Sequence, residues 1–523
     1  MTGCGENSNN NSLKGSKVTI TDINGNSTEL TMDEFKSKVE GNVTSFNNKY
    51  LTNPEVEDDF EDKLKLKPLV SDDEVYSKII MNQQDILTND EKKSNVYKNY
   101  VYIKNKLKSL FFSYSIEDLL EALDKFYFVI IPLGGQDKPQ EIFETINSAG
   151  AELSKADLIR NFILMNIESN LQDTLYSQYW QPMEDLFAKN GKMENFFRMF
   201  LANQNYVLDN MEDIYNVFQE WFLTQKNECG KDTEEILKLI VKYANYYYNL
   251  FISNTVPLES PIKESLIEFK KSTIEPTAPI LMEIYRLYDT KDPNGNRLVD
   301  ADSFAHIIDL FNTYNIRRNI TDYPNTRNLT KIFMDIVADI SGKQGNNVYD
   351  SIVSILKNNS SDDQTFETRL RGPVYADNPD ATRFLLCYYE DKFKTNEIHT
   401  NLWSRDRSNK YVWTIEHIFP EGDNIPQDWI NMIADGNKEL AYEYLNNYVH
   451  TLGNLTITGY NQNLSNFSFE KKKERTNSDG KYIGYRNRLE LNKDVVNQDS
   501  WKIENIKSRT DYLVKSYLED FKL

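Results

Sequence analysis

The chain has 523 residues and a formal net charge of −20, with 39% hydrophobic, 12% aromatic and 27% charged residues. That balance belongs to a folded protein of about two to four domains, not to a disordered chain. No apolar run approaches the roughly 20 residues that a membrane span needs. A chain this acidic does not coat nucleic acid indiscriminately, so any contact with phosphates must come from locally gathered basic residues. Cys4, Cys229 and Cys387 stand far apart in no metal-ligand spacing, and no secretory signal opens the sequence. A reducing cytoplasm without structural zinc or disulfides is the expectation, with no membrane partner.

Residues 1–55 are polar, and Lys17–Thr21 is strand-like, with a turn signal and then Thr28–Thr31 as its hairpin partner. From Val56 the pattern turns charged. Lys63–Leu69 alternates like a strand, and Asp72-Asp73-Glu74 starts a helix. Ser94–Phe111 places Tyr97, Tyr100, Val101, Ile103 and Leu107 at the spacing of a core-facing helix.

Tyr127–Leu133 reads as a buried strand ended by Gly134-Gly135. Beyond it, Gly150 fits a helix stop and Ser154 an N-cap. Asn147, Asp157 and Arg160 read as a turn-and-cap network.

Residues 166–370 carry apolar and aromatic residues at helical spacing, so this part is expected to be all helix. The stripe Tyr243, Tyr246, Tyr247 and Tyr248 is expected in the core, as is His306 on an apolar helix face. Arg369–Pro373 reads as a short basic turn, Thr382–Leu386 as the helix leading into a last domain, 371–523, and Trp501–Leu523 as a closing helix. His399, His417 and His450, three of the four histidines, fall in that last part.

Within it, Tyr411–Pro420 and His450–Gly459 read as strands joined by a long loop. Tyr460–Lys473 reads as a short helix that begins with Asn and Ser caps. The chemistry-bearing residues lie here. A neutral imidazole is suited to taking a proton from water near neutral pH. A carboxylate and an amide oxygen are hard donors, suited to Mg²⁺ more than to zinc. Adjacent residues in a regular strand face opposite ways, so Glu416 and His417 share a site only if the strand ends or bends there, as Pro420 permits. The basic residues Lys471, Lys472, Lys473, Arg475, Lys481, Arg486 and Arg488 follow directly.

The runs Ile-Glu-His-Ile-Phe-Pro (415–420), Leu-Gly-Asn-Leu-Thr-Ile (452–457) and Asn461-(x)2-Leu464-Ser465-Asn466-(x)2-Phe469-(x)2-Lys472 resemble the HNH, or His-Me finger, nuclease domain. More narrowly, they are similar to the C-terminal domain of GmrSD-type modification-dependent restriction enzymes. The run Phe143-Glu144-(x)2-Asn147-(x)2-Gly150-(x)2-Leu153-Ser154-(x)2-Asp157-Leu158-Ile159-Arg160-Asn161 resembles the second half of that family's ParB-like N-terminal domain. The resemblance implies a mainly α (α+β) chain whose last domain is a ββα-metal nuclease. It implies His417 as general base and Asn454 as the residue holding the loop and the histidine. Glu416 and Asn461 (or Asn463 or Asn466) would be the ligands of Mg²⁺ or another divalent cation, and Lys471, Lys472, Lys473 and Arg475 contacts to the DNA backbone.

The implied function is metal-dependent hydrolysis of DNA phosphodiesters in anti-phage restriction. Its partner would be DNA, including modified phage DNA, with a homo-oligomer or a partner subunit as a further expectation. The family's Asp-Gly-Gln-Gln-Arg nucleotide signature does not occur in this sequence, since Asn82-Gln83-Gln84-Asp85 lacks both the Gly and the Arg. That departure counts against nucleotide dependence and makes 56–165 a partial or divergent version of the domain. A non-catalytic DNA-sensing or interaction subunit, or a truncated restriction protein, is the alternative it raises.

Overall fold

The computed structural model describes residues 17–21, 27–31, 34, 37, 44–55, 64–66, 68, 70–110, 116–127, 142, 153–167, 169–188, 190–206, 213–253, 255, 257–272, 275–395 and 400–523. Of the expected buried strand at 127–133, Tyr127 is exposed and in no strand, and 128–133 lie outside these residues, as do Gly150, Cys4 and His399. Two compact units divide the chain, 1–135 and 136–523. Helix dominates both. Among the described residues, no helix is long and apolar enough to cross a membrane.

In the first unit, β1 (Lys17–Thr21) pairs antiparallel with β2 (Ser27–Thr31), Lys17 opposite Thr31. Within the expected strand at 63–69, Leu64 bridges to Thr52, and residues 63, 67 and 69 lie outside the described residues. Helix α1 spans Val70–Ile80 and α2 spans Asn95–Leu110. On α2, Val101 and Leu107 are half-buried but Ile103 is exposed, so its apolar face is less covered than its spacing suggests.

The second unit starts with α3 (Lys155–Met165), capped by the Ser154 hydroxyl, which accepts from the Asp157 N–H. Arg160 joins Asp157 at 2.9 Å, as expected around that cap, and also Glu184 at 2.9 Å; Asn147, the third residue of the expected network, lies outside the described residues. The helices up to residue 358 enclose one large apolar core. In α4 (Thr233–Phe251) the residues Tyr243, Tyr246 and Tyr247 are buried, as the stripe predicts, while Tyr248 is only half-buried. Tyr243 and Tyr246 donate to Glu283 and Asp289 of α5 (Ala278–Asp289), and Tyr247 donates to Glu275, so each ring is buried with its hydroxyl satisfied. His306, on α6 (Ala301–Thr321), is exposed rather than packed: its position falls on the outer edge of a helix whose neighbours Phe304, Ile307 and Ile308 face the core.

The second core begins on the same helix. Ile316 and Ile320 of α6 pack with Phe366 and Leu370 of α7 (Asp363–Arg371), Leu385 of α8 (Pro379–Phe393), and Leu452, Leu455 and Ile457. Arg369 and Arg371 therefore end a helix rather than form a turn. The candidate nuclease segments are thus seated on a preformed helical layer.

Candidate active site

Strand β3 covers only Thr414–His417 and β4 only Leu455–Thr458, paired antiparallel with Glu416 opposite Thr456 and His417 opposite Leu455. The expected loop between them carries two helices, α9 (Gln427–Ala434) and α10 (Lys438–Tyr448). Asn437 caps α10 by accepting from the Leu440 N–H. Trp429, Ile430 and Ile433 of α9 build a third small core with Ile418, Phe419 and Phe469. Helix α11 (Phe469–Glu474) follows β4, and α12 (Ile503–Asp520) closes the domain.

Asn454 is fully buried in the turn before β4. Its Oδ1 accepts from the Phe419 N–H at 2.8 Å, and its Nδ2 donates to the Phe419 carbonyl at 2.9 Å and the Val449 carbonyl at 3.0 Å. The Ile418 N–H donates to the Asn454 carbonyl at 2.9 Å. One amide thus satisfies both backbone groups of the residue two after His417 and fixes how the chain leaves β3. Both ends of this side chain are engaged by backbone, so Asn454 positions and does not touch a substrate.

The turn itself is held from α12. The Gly453 N–H donates to the Thr510 hydroxyl at 3.0 Å, and a Cβ at Gly453 would run into the Ile506 carbonyl. Buried Arg509 donates to the carbonyls of Leu452, Gly453, Leu455 and Leu491. Sequence reading gave Arg509 no role, because a cation in a charged, amphipathic helix looks like a surface residue until the turn it serves is in place.

Strand alternation separates Glu416 from His417. The Lys472 ammonium donates to Glu416 Oε1 at 2.7 Å and to the His417 carbonyl at 2.8 Å, and the Tyr485 hydroxyl donates to Glu416 at 3.3 Å. The side chains of Glu416 and Lys472 are 4% and 1% exposed. Burial raises the Glu416 carboxyl and lowers the Lys472 ammonium, while their short contact opposes both shifts. Glu416 is therefore placed in a buried ion pair and not beside the imidazole.

The same geometry corrects the expected DNA contacts. Three consecutive lysines on a helix span most of its circumference, so they cannot all face solvent. Lys472 lies inside, and Lys473, also buried, donates to the Gln498 carbonyl at 3.1 Å. Lys471 and Arg475 are exposed. Asn461 donates through Nδ2 to the Ile415 carbonyl at 2.7 Å, near the far end of β3 from His417. Asn466 is exposed beside Gly422, and the Asn463 side chain lies outside the described residues.

The imidazole of His417 faces a different set of groups. Its Nε2 lies 3.2 Å from His450 Nδ1 and 3.5 Å from Glu421 Oε2. The Tyr375 ring meets His417 edge-on at 4.7 Å and stacks on His450 at 5.4 Å. His417 is 8% exposed, whereas His450 and Glu421 are 29% and 52% exposed, so the cluster opens to solvent on their side. Burial first, then His450 and Lys472, pulls the His417 imidazole down to about 3, which keeps it neutral at physiological pH. His417, Glu421 and His450 form a three-residue group whose donor atoms could hold a metal ion. Sequence reading noted the clustering of His450 and passed over Glu421. The only signal was the Pro420 bend, which brings residue 421 back toward the strand end.

Two family models match this chain: the C-terminal domain of GmrSD restriction endonucleases over residues 360–516, and the N-terminal domain of the same enzymes over residues 18–164. The chain belongs to the GmrSD restriction endonuclease family. The C-terminal GmrSD match contains β3, β4, His417, Glu421, His450, Asn454, Lys472 and most of α12. The N-terminal match takes in the β1–β2 hairpin and α3. No curated protein matches the chain. Restriction endonuclease domains carry a nuclease role, DNA as its partner and a general need for divalent cations.

Proposed function

We propose that the C-terminal GmrSD domain is an HNH-type, ββα-metal endonuclease that hydrolyses DNA phosphodiesters, with modified phage DNA as its target and His417 as general base. The observation that carries this reading is a neutral, buried imidazole at the end of β3 whose Nε2 opens onto a solvent-facing carboxylate and histidine. A base must be unprotonated at working pH and must reach water: burial keeps His417 neutral, and its Nε2, 3.2 Å from His450 Nδ1, would exchange that contact for the attacking water. With Nε2 as acceptor, His450 donates through Nδ1 and orients the ring.

Mg²⁺ is the cation we propose. Glu416 would have to exchange Lys472 for the ion, whereas Glu421 already offers a hard oxygen on the imidazole side. Glu421, with water filling the remaining positions, would hold the ion, whose charge would stabilise charge developing on the phosphate. Lys471 and Arg475 would orient the backbone without reading sequence. The fixed backbone around Asn454 keeps the imidazole in place while DNA binds.

Cleavage of plain and modified DNA, with Mg²⁺ or EDTA, tests the activity. Comparing Glu421→Gln with Glu416→Gln tests the ligand assignment. Loss of Mg²⁺-dependent cutting in Glu421→Gln supports it. Loss only in a well-folded Glu416→Gln would mean that Glu416 leaves Lys472 for the ion. No cutting of any DNA by folded wild type would favour a DNA-sensing subunit.

A further inference from the structure

We propose that His417, His450 and Glu421 form a binding site for zinc or a similar borderline-soft divalent ion, and that its occupancy switches the nuclease off. The inhibitory half rests on the reading of His417 as base; the binding half does not.

Three separations carry the proposal: 3.2 Å between His417 Nε2 and His450 Nδ1, 3.5 Å between His417 Nε2 and Glu421 Oε2, and 4.0 Å between His450 Nδ1 and Glu421 Oε2. A point equidistant from all three atoms lies about 2.1 Å from each, the length of a zinc–imidazole or zinc–carboxylate bond. That point lies in the plane of the three atoms; a tetrahedral ion needs edges of about 3.4 Å, so Glu421 Oε2 and His450 Nδ1 would close from 4.0 Å by roughly half an ångström. The Tyr375 ring already fixes both imidazoles, edge-on to one and stacked on the other, and the Tyr375 N–H donates to the His450 carbonyl at 3.3 Å. The fourth position faces the open side, where water would complete the shell.

Donor type sets selectivity. Two imidazole nitrogens and one carboxylate suit zinc, cobalt or nickel, whereas Mg²⁺ keeps a shell of oxygens. Two facing imidazole nitrogens this close require a proton between them. Zinc takes the place of that proton and both lone pairs; neutral His450 then carries its proton on Nε2 instead of Nδ1, so both rings stay neutral and the exchange releases no net proton. The lone pair of His417 Nε2 is then no longer available to water. Zinc and the general-base role are mutually exclusive at one atom.

Zinc binding to the apo full chain, measured against a chelating dye, tests the site without DNA. Cobalt in place of zinc adds a visible spectrum that reports four-coordinate nitrogen and oxygen ligation. The expected result is one tight ion per chain, with affinity falling on the order of 100-fold in His450→Ala and in Glu421→Gln. Glu421 is half-exposed, so its variant remains informative if His450→Ala fails to fold. In cutting assays at fixed Mg²⁺, zinc should inhibit wild type, and the zinc concentration for half-inhibition should rise at least about tenfold in His450→Ala relative to that variant's own zinc-free rate. No zinc bound, or binding unchanged in both variants, overturns the site. Zinc bound at this site with cutting undiminished overturns the inhibition alone. Zinc bound by a chain that cuts nothing leaves the site standing and removes the nuclease reading.

Discussion

The helical middle and the β3–β4 region bury their residues for different reasons. Between Ile159 and Leu356 the core is built mainly from aliphatic and aromatic side chains, with Phe196 against Tyr247, Phe200 against Trp221 and Phe197 against Phe218. Around β3 the buried residues include Glu416, His417, Asn454, Thr456, Lys472, Asn492 and Arg509. The first region depends chiefly on filling volume, with a few satisfied polar pairs such as Tyr243–Glu283 set into it. The second depends on pairing particular donors with particular acceptors, because a buried polar group without its partner is costly. The middle provides a support, and the small polar core on it fixes one imidazole.

The largest expected effect comes from breaking the buried pair. Lys472→Ala leaves the Glu416 carboxylate without its cation, and urea unfolding should show a loss of about 3–5 kcal/mol. The double variant Glu416→Gln/Lys472→Met should recover much of it; a double variant as unstable as the single one would contradict the pairing. Next, Asn454→Ala strands both backbone groups of Phe419 and should cost about 2–4 kcal/mol. By contrast Phe197→Leu, in the middle, should cost less than about 1.5 kcal/mol. Equal costs would erase the distinction between the regions.

A pH series in EDTA sharpens the comparison further. The unfolded imidazole of His417 takes up a proton below its ordinary 6.5, but the folded one only near about 3. Between those values the unfolded chain holds more protons, so this group removes stability as pH falls from 6.5 and has no effect above it. His417→Gln should flatten that slope, and an unchanged slope would assign it to other groups. The smallest effect is at the surface. Lys471→Ala and Arg475→Ala should each lower the salt dependence of DNA binding by about one unit of slope and weaken binding uniformly across sequences. The buried Lys473 should not behave this way.

Helical content, the Tyr stripe and the closing helix were legible because each rests on residue type and local spacing, whereas the roles given to His417 and Asn454 came from the resemblance of their motifs to the family. The partners of His417 were not legible. His450 is 33 residues away through two helices, and only the fold brings it and Glu421 together. Burial of Lys472 also escaped reading, because a run of three lysines looks exposed as a composition and becomes divided only when wound into α11. His306 and Ile103 fail for the same reason in reverse: helical spacing gives the face, and tertiary packing decides how wide a stripe of it is covered.

The most direct test of the central claim is Mg²⁺-dependent cleavage of modified and plain DNA by wild type and His417→Ala, each shown to be folded. The account predicts a drop of about 10²–10⁴-fold in the variant, with DNA binding retained. Cleavage by folded His417→Ala at the wild-type rate would contradict it.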